Sequence, residues 1–188
     1  MRPVLASSRR RAPSTRRRRL VRSLQATAAA LVALAMLSGF RAPLINDVAT
    51  DLTDPPSFLP ATGIGGLPRS FIPQIAAGYP ALKTLSLPAT PLPAAAAAAA
   101  RAAARMPRWS LTAVDEGRVE GVATTLVLRF KDDFTFRLNE DGAGGSILDG
   151  RSRSRVGKGD FGANAARIEA FFGLVREEVG SGGQGARL

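Results

Sequence analysis

Cysteine and histidine are both absent from this sequence. Their absence excludes disulfides, thiol nucleophiles, thiolate zinc sites and imidazole ligands. It also removes serine–histidine triads and an imidazole base near neutral pH. Lysine is scarce (Lys83, Lys131, Lys158), and there is one tyrosine, Tyr79, and one tryptophan, Trp109. An enzyme built on this chain would rest on carboxylates, those lysines, Tyr79 or an oxygen-ligated metal. No acid occurs before Asp47.

The formal charge of +11 suggests a nucleic-acid binder until it is mapped along the chain. Nine of the 26 basic residues lie in 1–40, so 41–188 holds 17 basic against 15 acidic side chains. The basicity belongs to a tail, and nucleic acid is not the expected partner of the rest.

Residues 1–22 form a basic, acid-free region, and 23–40 an uncharged stretch around Leu31–Leu37 (LVALAML). A positive segment followed by an apolar one is the pattern of an export signal or an uncleaved membrane anchor. Either reading places the remainder in the cell envelope, membrane-anchored or exported to the periplasm. A bipartite organelle-targeting peptide would instead lead to the thylakoid lumen of a plastid.

Residues 41–78 are dense in proline and glycine and show no helical or strand period, so an extended tether is expected there. The folded domain is expected over 79–179, with a flexible glycine-rich tail at 180–188. Within the domain, Leu82–Leu87 reads as a short strand. Pro93 begins an alanine-rich helix ending at Met106. Trp109–Val114, Arg118–Phe130, Asp133–Leu138 and Ser146–Val156 read as strands. The loop Asp141–Gly145 joins the last two in a hairpin. A final helix over Phe161–Val179 carries an apolar stripe, with Asp160 as N-cap. The expected fold class is α+β: a two-layer sandwich in which a four- to five-stranded antiparallel meander carries two helices on one face.

Asp47–Phe58 (DVATDLTDPPSF), Thr124-Thr125, Phe130–Asp133 (FKDD) and the run RSRSRVGKGDFGANAARIEAF over Arg151–Phe171 resemble the domain-of-unknown-function family numbered 1499. The resemblance implies a bacterial envelope or plastid protein, often with a hydrophobic segment ahead of the domain. It assigns no catalytic residue.

Arg151, Arg153 and Arg155 alternate with serines, so on a strand all three guanidiniums project from one face. Pairing this strand with Asp133–Leu138 so that Arg153 faces Asp133 and Arg137 faces Asp149 gives two opposite-charge cross-strand pairs. In that reading the arginines form a salt-bridged outer sheet face. In the other, Arg151 or Arg155 stays unpaired beside the amino end of the last helix and binds a carboxylate or phosphate. Lys158 and Asn164, flanking that amino end, join Arg151, Arg153, Arg155 and Asp133 as candidate site residues. Gly157–Gly162 (GKGDFG) matches G-x-G-x-x-G, but no second parallel strand follows the helix, so no dinucleotide cofactor is expected. Asp47, Asp51 and Asp54 match no calcium loop, and no metal or other cofactor is expected.

The leading expectation is a non-catalytic envelope domain that binds a partner protein or a small anionic ligand, with the membrane reached through the N-terminal segment. The alternative is an enzyme using carboxylate or lysine chemistry in a pocket between sheet and helices.

Overall fold

The computed structural model describes residues 42–185, with side chains described through Ser181. The basic region 1–22 and the apolar stretch 23–40 lie outside the described residues. No helix among the described residues is long and apolar enough to cross a membrane.

The described chain is an α+β fold: six strands in one antiparallel sheet, with three α-helices. In chain order the elements are β1 (Asp47–Ala49), α1 (Ile72–Gly78), β2 (Leu85–Leu87), α2 (Leu92–Arg105), β3 (Trp109–Val114), β4 (Arg118–Thr124), β5 (Lys131–Glu140), β6 (Ser146–Ser154) and α3 (Ala163–Gly185). Strands β3 to β6 form a meander. Both β1 and β2 pair with the outer edge of β6, β1 along Arg151–Arg153 and β2 along Ser146–Leu148.

Local chemistry accounts for the turns and ends. Pro93 lies in the first turn of α2, where its missing N–H costs nothing, and the Pro91 carbonyl accepts from Ala94 and Ala95. In the β5–β6 hairpin the Asp141 carboxylate accepts from the Ala143 and Gly145 N–H groups while Gly142 and Gly144 take positive φ. At the start of α3 the Asp160 carboxylate accepts from Gly162 and Asn164, satisfying helix donors that would otherwise be open.

Alternation along β5 turns Phe134, Phe136 and Leu138 to one side of the sheet, and all three are buried. Phe136 meets Phe171 and Phe172 of α3, with ring centroids 4.2 and 6.1 Å apart, and Trp109 stacks on Phe134 at 3.8 Å. The buried alanines Ala95, Ala99 and Ala102 of α2 join the same core, so the helix axis can approach closely.

Five expectations are corrected. Residues 41–78 are not a tether without elements: they supply β1, whose residues are all buried, and α1. β1 adds a strand to the sheet, which has six rather than four or five. The expected strand Arg118–Phe130 stops at Thr124, because the chain folds back between Thr125 and Phe130. There the Thr125 N–H donates to the Phe130 carbonyl and the Phe130 N–H to the Thr125 hydroxyl. Phe161 is not on the buried stripe of the last helix. It precedes α3 at positive φ and is 73% exposed, while Ala165, Ile168, Phe172 and Val175 are buried. The helix itself runs past Val179 to Gly185, into the segment expected as a tail.

Candidate functional site

The register between β5 and β6 sets Asp133 opposite Arg153 and Arg137 opposite Asp149. On the other edge of β6, β1 sets Asp47 opposite Arg153. Arg153 thus has an aspartate across from it on each neighbouring strand.

Neither aspartate binds it. Asp133 is held by Arg155, whose Nε and NH2 lie 2.8 and 2.7 Å from the two carboxylate oxygens. Asp47 is held by Arg151, with Nε at 3.0 Å and NH2 at 2.8 Å. Each acid is taken diagonally, by the arginine two residues from the one directly opposite. Among the described residues Arg153 has no ion pair. The hydrogen bonds to Asp133 raise the Arg155 guanidinium above its already high pKa, with burial opposing.

Arg151 differs from both. Its side chain is 1% exposed, as is that of Asp47. Residues 50–65 lie over it: the Gly65 carbonyl accepts from NH2 at 3.0 Å, and the Phe58 ring centroid is 5.0 Å from the guanidinium carbon. The same segment serves the rest of this side of the sheet. The Ser57 carbonyl accepts from Arg118, the Leu59 N–H donates to Glu120, and Asp51 and Asp54 bind Arg137. Thr50 donates to the Asp149 carboxylate while its hydroxyl accepts from the Gly150 N–H. This is a buried polar layer rather than an outer salt-bridged face.

A cleft of about 490 Å³ opens between Ala61–Ile64 of the covering segment and the side chains of Asp133, Arg153 and Arg155. Three of the residues singled out from sequence therefore meet here. Arg151 does not, because it is sealed under the covering segment.

Asn164 and Lys158 are elsewhere. Asn164 is fully buried on the opposite side of β6, accepting from Ser152 and Arg167 and donating to Ser154 and the Asn46 carbonyl. Lys158 is exposed in the loop between β6 and α3. The expectation of an unpaired Arg151 or Arg155 beside the amino end of the last helix is corrected on two counts. Both arginines are paired, and the helix donors are occupied by Asp160.

The groups considered for acid–base chemistry have other environments. Lys83, Lys131 and Lys158 are exposed, and Asp132 is held by Arg167. Burial pushes the Tyr79 phenol up to about 12, with the Asp160 carboxylate adding to the shift, so it stays protonated at neutral pH.

Sequence reasoning missed Ala61–Ile64 as one wall of the cleft. Gly63 adopts a left-handed conformation at the end of a 3-10 turn over Pro60–Thr62, and Pro60 and Gly63 are the only local signals.

A family model described as Protein of unknown function (DUF1499) matches residues 47–174, from β1 into α3. No curated protein matches the chain.

Proposed function

The chain belongs to the DUF1499 family, and we propose that it is a non-catalytic domain of the cell envelope that binds a small anion, carboxylate or phosphate, at Arg153. The observation carrying this reading is the pairing pattern. Arg151 and Arg155 each consume one aspartate, and the arginine between them keeps its charge uncompensated at the wall of a cleft. A guanidinium presents a planar fork of donors suited to a carboxylate or phosphate. Arg155 stands at the same wall with its charge taken by Asp133, which lines the cleft as well.

The proposal includes the layer arrangement. α2 and α3 lie together on the side of the sheet bearing Phe134 and Phe136, in a two-layer sandwich. Contacts of Phe171 and Phe172 with Phe136, and of α2 with α3 and with β3 to β5, support it. The anion cleft then belongs to the opposite side, where the covering segment 50–65 takes the place of a second helical layer. Envelope placement rests on the basic region 1–22 followed by the apolar stretch 23–40.

The test is a thermal-shift titration of the full chain with inorganic phosphate and with a dicarboxylate, beside Arg153→Ala. A ligand that binds the folded state alone raises the melting temperature in proportion to the logarithm of its concentration above Kd. The reading expects a rise in wild type that Arg153→Ala abolishes while its own unliganded melting temperature stays close to wild type. No rise with either anion, or an equal rise in the variant, overturns it.

A further inference from the structure

At one end of the sheet two loops come together, Thr125–Phe130 between β4 and β5 and Arg155–Gly162 between β6 and α3, and their apolar side chains stand outward. Leu126, Val127 and Leu128 are all largely exposed, Val127 at 82%, and Phe130, Val156 and Phe161 extend the patch. The loops enclose a shallow apolar depression of about 520 Å³. Three consecutive exposed aliphatic residues at a loop tip are a costly arrangement in water, and contiguous patches of this kind mark interaction surfaces.

Two acids line the depression, Asp132 and Asp160, but the first is buried and held by Arg167 and the second is half-buried and accepts from the Gly162 and Asn164 N–H groups, so the exposed charge around the patch is cationic. Residues 125–131 and 155–159 contain Arg129, Lys131, Arg155 and Lys158 and no acid, and all four are exposed. Apolar tips ringed by cations match the boundary of an anionic bilayer, where the side chains enter the acyl region and the cations meet lipid phosphates. Chain continuity points the same way. Leu44, itself 70% exposed, packs beside Gly159 of the second loop, and in sequence it follows the apolar stretch 23–40 by only a few residues. A chain leaving a membrane through that stretch would enter the domain at this end.

We propose that the Thr125–Phe130 and Arg155–Gly162 loops form a docking face for an anionic lipid bilayer. The bilayer contact meets the Arg153 cleft at Arg155, which lines the cleft wall, and its test leaves Arg153 and Arg155 in place. The hairpin at Asp141–Gly145, at the far ends of β5 and β6, points away from the surface.

The chain has no cysteine, so one introduced thiol carries a unique label. Full-length Val127→Cys and, separately, Ala143→Cys are labelled with an environment-sensitive fluorophore. Each is mixed with vesicles of phosphatidylglycerol and phosphatidylcholine, or of phosphatidylcholine alone. Iodide quenches from the aqueous phase and doxyl-lipid from within the bilayer. On the anionic vesicles the Val127 probe is expected to lose its iodide quenching and gain doxyl quenching, while the Ala143 probe keeps its iodide quenching. Arg129→Glu with Lys158→Glu is expected to return the Val127 probe to iodide.

The Ala143 comparison matters because residues 23–40 can attach the chain to vesicles without the loops docking. If the Val127 probe stays as open to iodide as Ala143 on bound protein, the proposal fails. If it is shielded before any vesicle is added, the patch is covered by the chain's own segment or, where shielding rises with protein concentration, by a second copy. Either result also overturns it. A label at Leu128→Cys repeats the measurement should Val127→Cys not fold.

Discussion

Arg151 of β6 and Asp47 of β1 form a two-pronged ion pair across 104 positions of sequence, with Nε–Oδ1 at 3.0 Å and NH2–Oδ2 at 2.8 Å, both side chains sealed from solvent. Together with the β1–β6 ladder, the pair fastens β1 to the meander. It also takes one of the two aspartates opposite Arg153, the other, Asp133, being taken by Arg155. Removing one charge and removing both therefore have different consequences.

Arg151→Met is expected to destabilise the fold by about 3–5 kcal/mol, because Asp47 remains buried without its counter-charge. Asp47→Leu with Arg151→Met should recover a large part of that loss. Urea denaturation of the two variants and wild type measures both terms. A single variant within experimental error of wild type would show that the pair is not holding β1.

Asn164→Leu is expected to cost on the order of 1–3 kcal/mol per buried polar group left without a partner. The Asn164 amide links Ser154 and the Asn46 carbonyl to Ser152 and Arg167. The loss should also appear as faster amide exchange around Asn46 and the start of α3, which the bond to Asn46 ties together.

Gly121→Ala is expected to destabilise by about 1–3 kcal/mol through overpacking. A methyl group at this position of β4 would collide with the Ser110 carbonyl of β3 and come within 2.8 Å of Cζ of the buried Phe134. The adjoining β3–β4 register already shifts between Leu111 and Ala113, and thermal melting of the variant reads the cost of forcing the strands apart.

Glu178 of α3 accepts hydrogen bonds from Arg101 and Arg105 of α2, and these hold its carboxyl below its ordinary value of 4.5. A carboxyl depressed in the folded state contributes stability that is fully present above its unfolded pKa and is lost as pH falls through the folded one. The melting-temperature gap between wild type and Glu178→Gln should therefore be present at neutral pH. It should close as the pH falls below about 4.5. A gap independent of pH would mean that the glutamate acts by packing alone.

Much of the meander was open to reading from sequence. Trp109–Val114 is β3 to the residue. The alternation of Phe134, Phe136 and Leu138 marks a buried face, and the pairing that sets opposite charges across the strands, Asp133 opposite Arg153 and Arg137 opposite Asp149, is the register found. These features are local or involve adjacent strands, where side-chain period and hairpin chemistry are decided by neighbouring residues. The same period of two puts Arg151, Arg153 and Arg155 on one side of β6.

What each of those arginines does was decided only by the tertiary structure. Their acids are taken diagonally, and one of them, Asp47, comes from a segment whose sequence shows no strand period. That segment covers the sheet in part through backbone groups: the Ser57 and Gly65 carbonyls accept from arginines, and the Leu59 N–H donates to Glu120. Backbone donors and acceptors are the same in every residue except proline, so a layer built from them leaves no pattern in the side chains. The sequence by itself determined which face the arginines share. The fold decided that Arg151 is buried, that Arg155 is tied, and that Arg153 has no ion pair among the described residues.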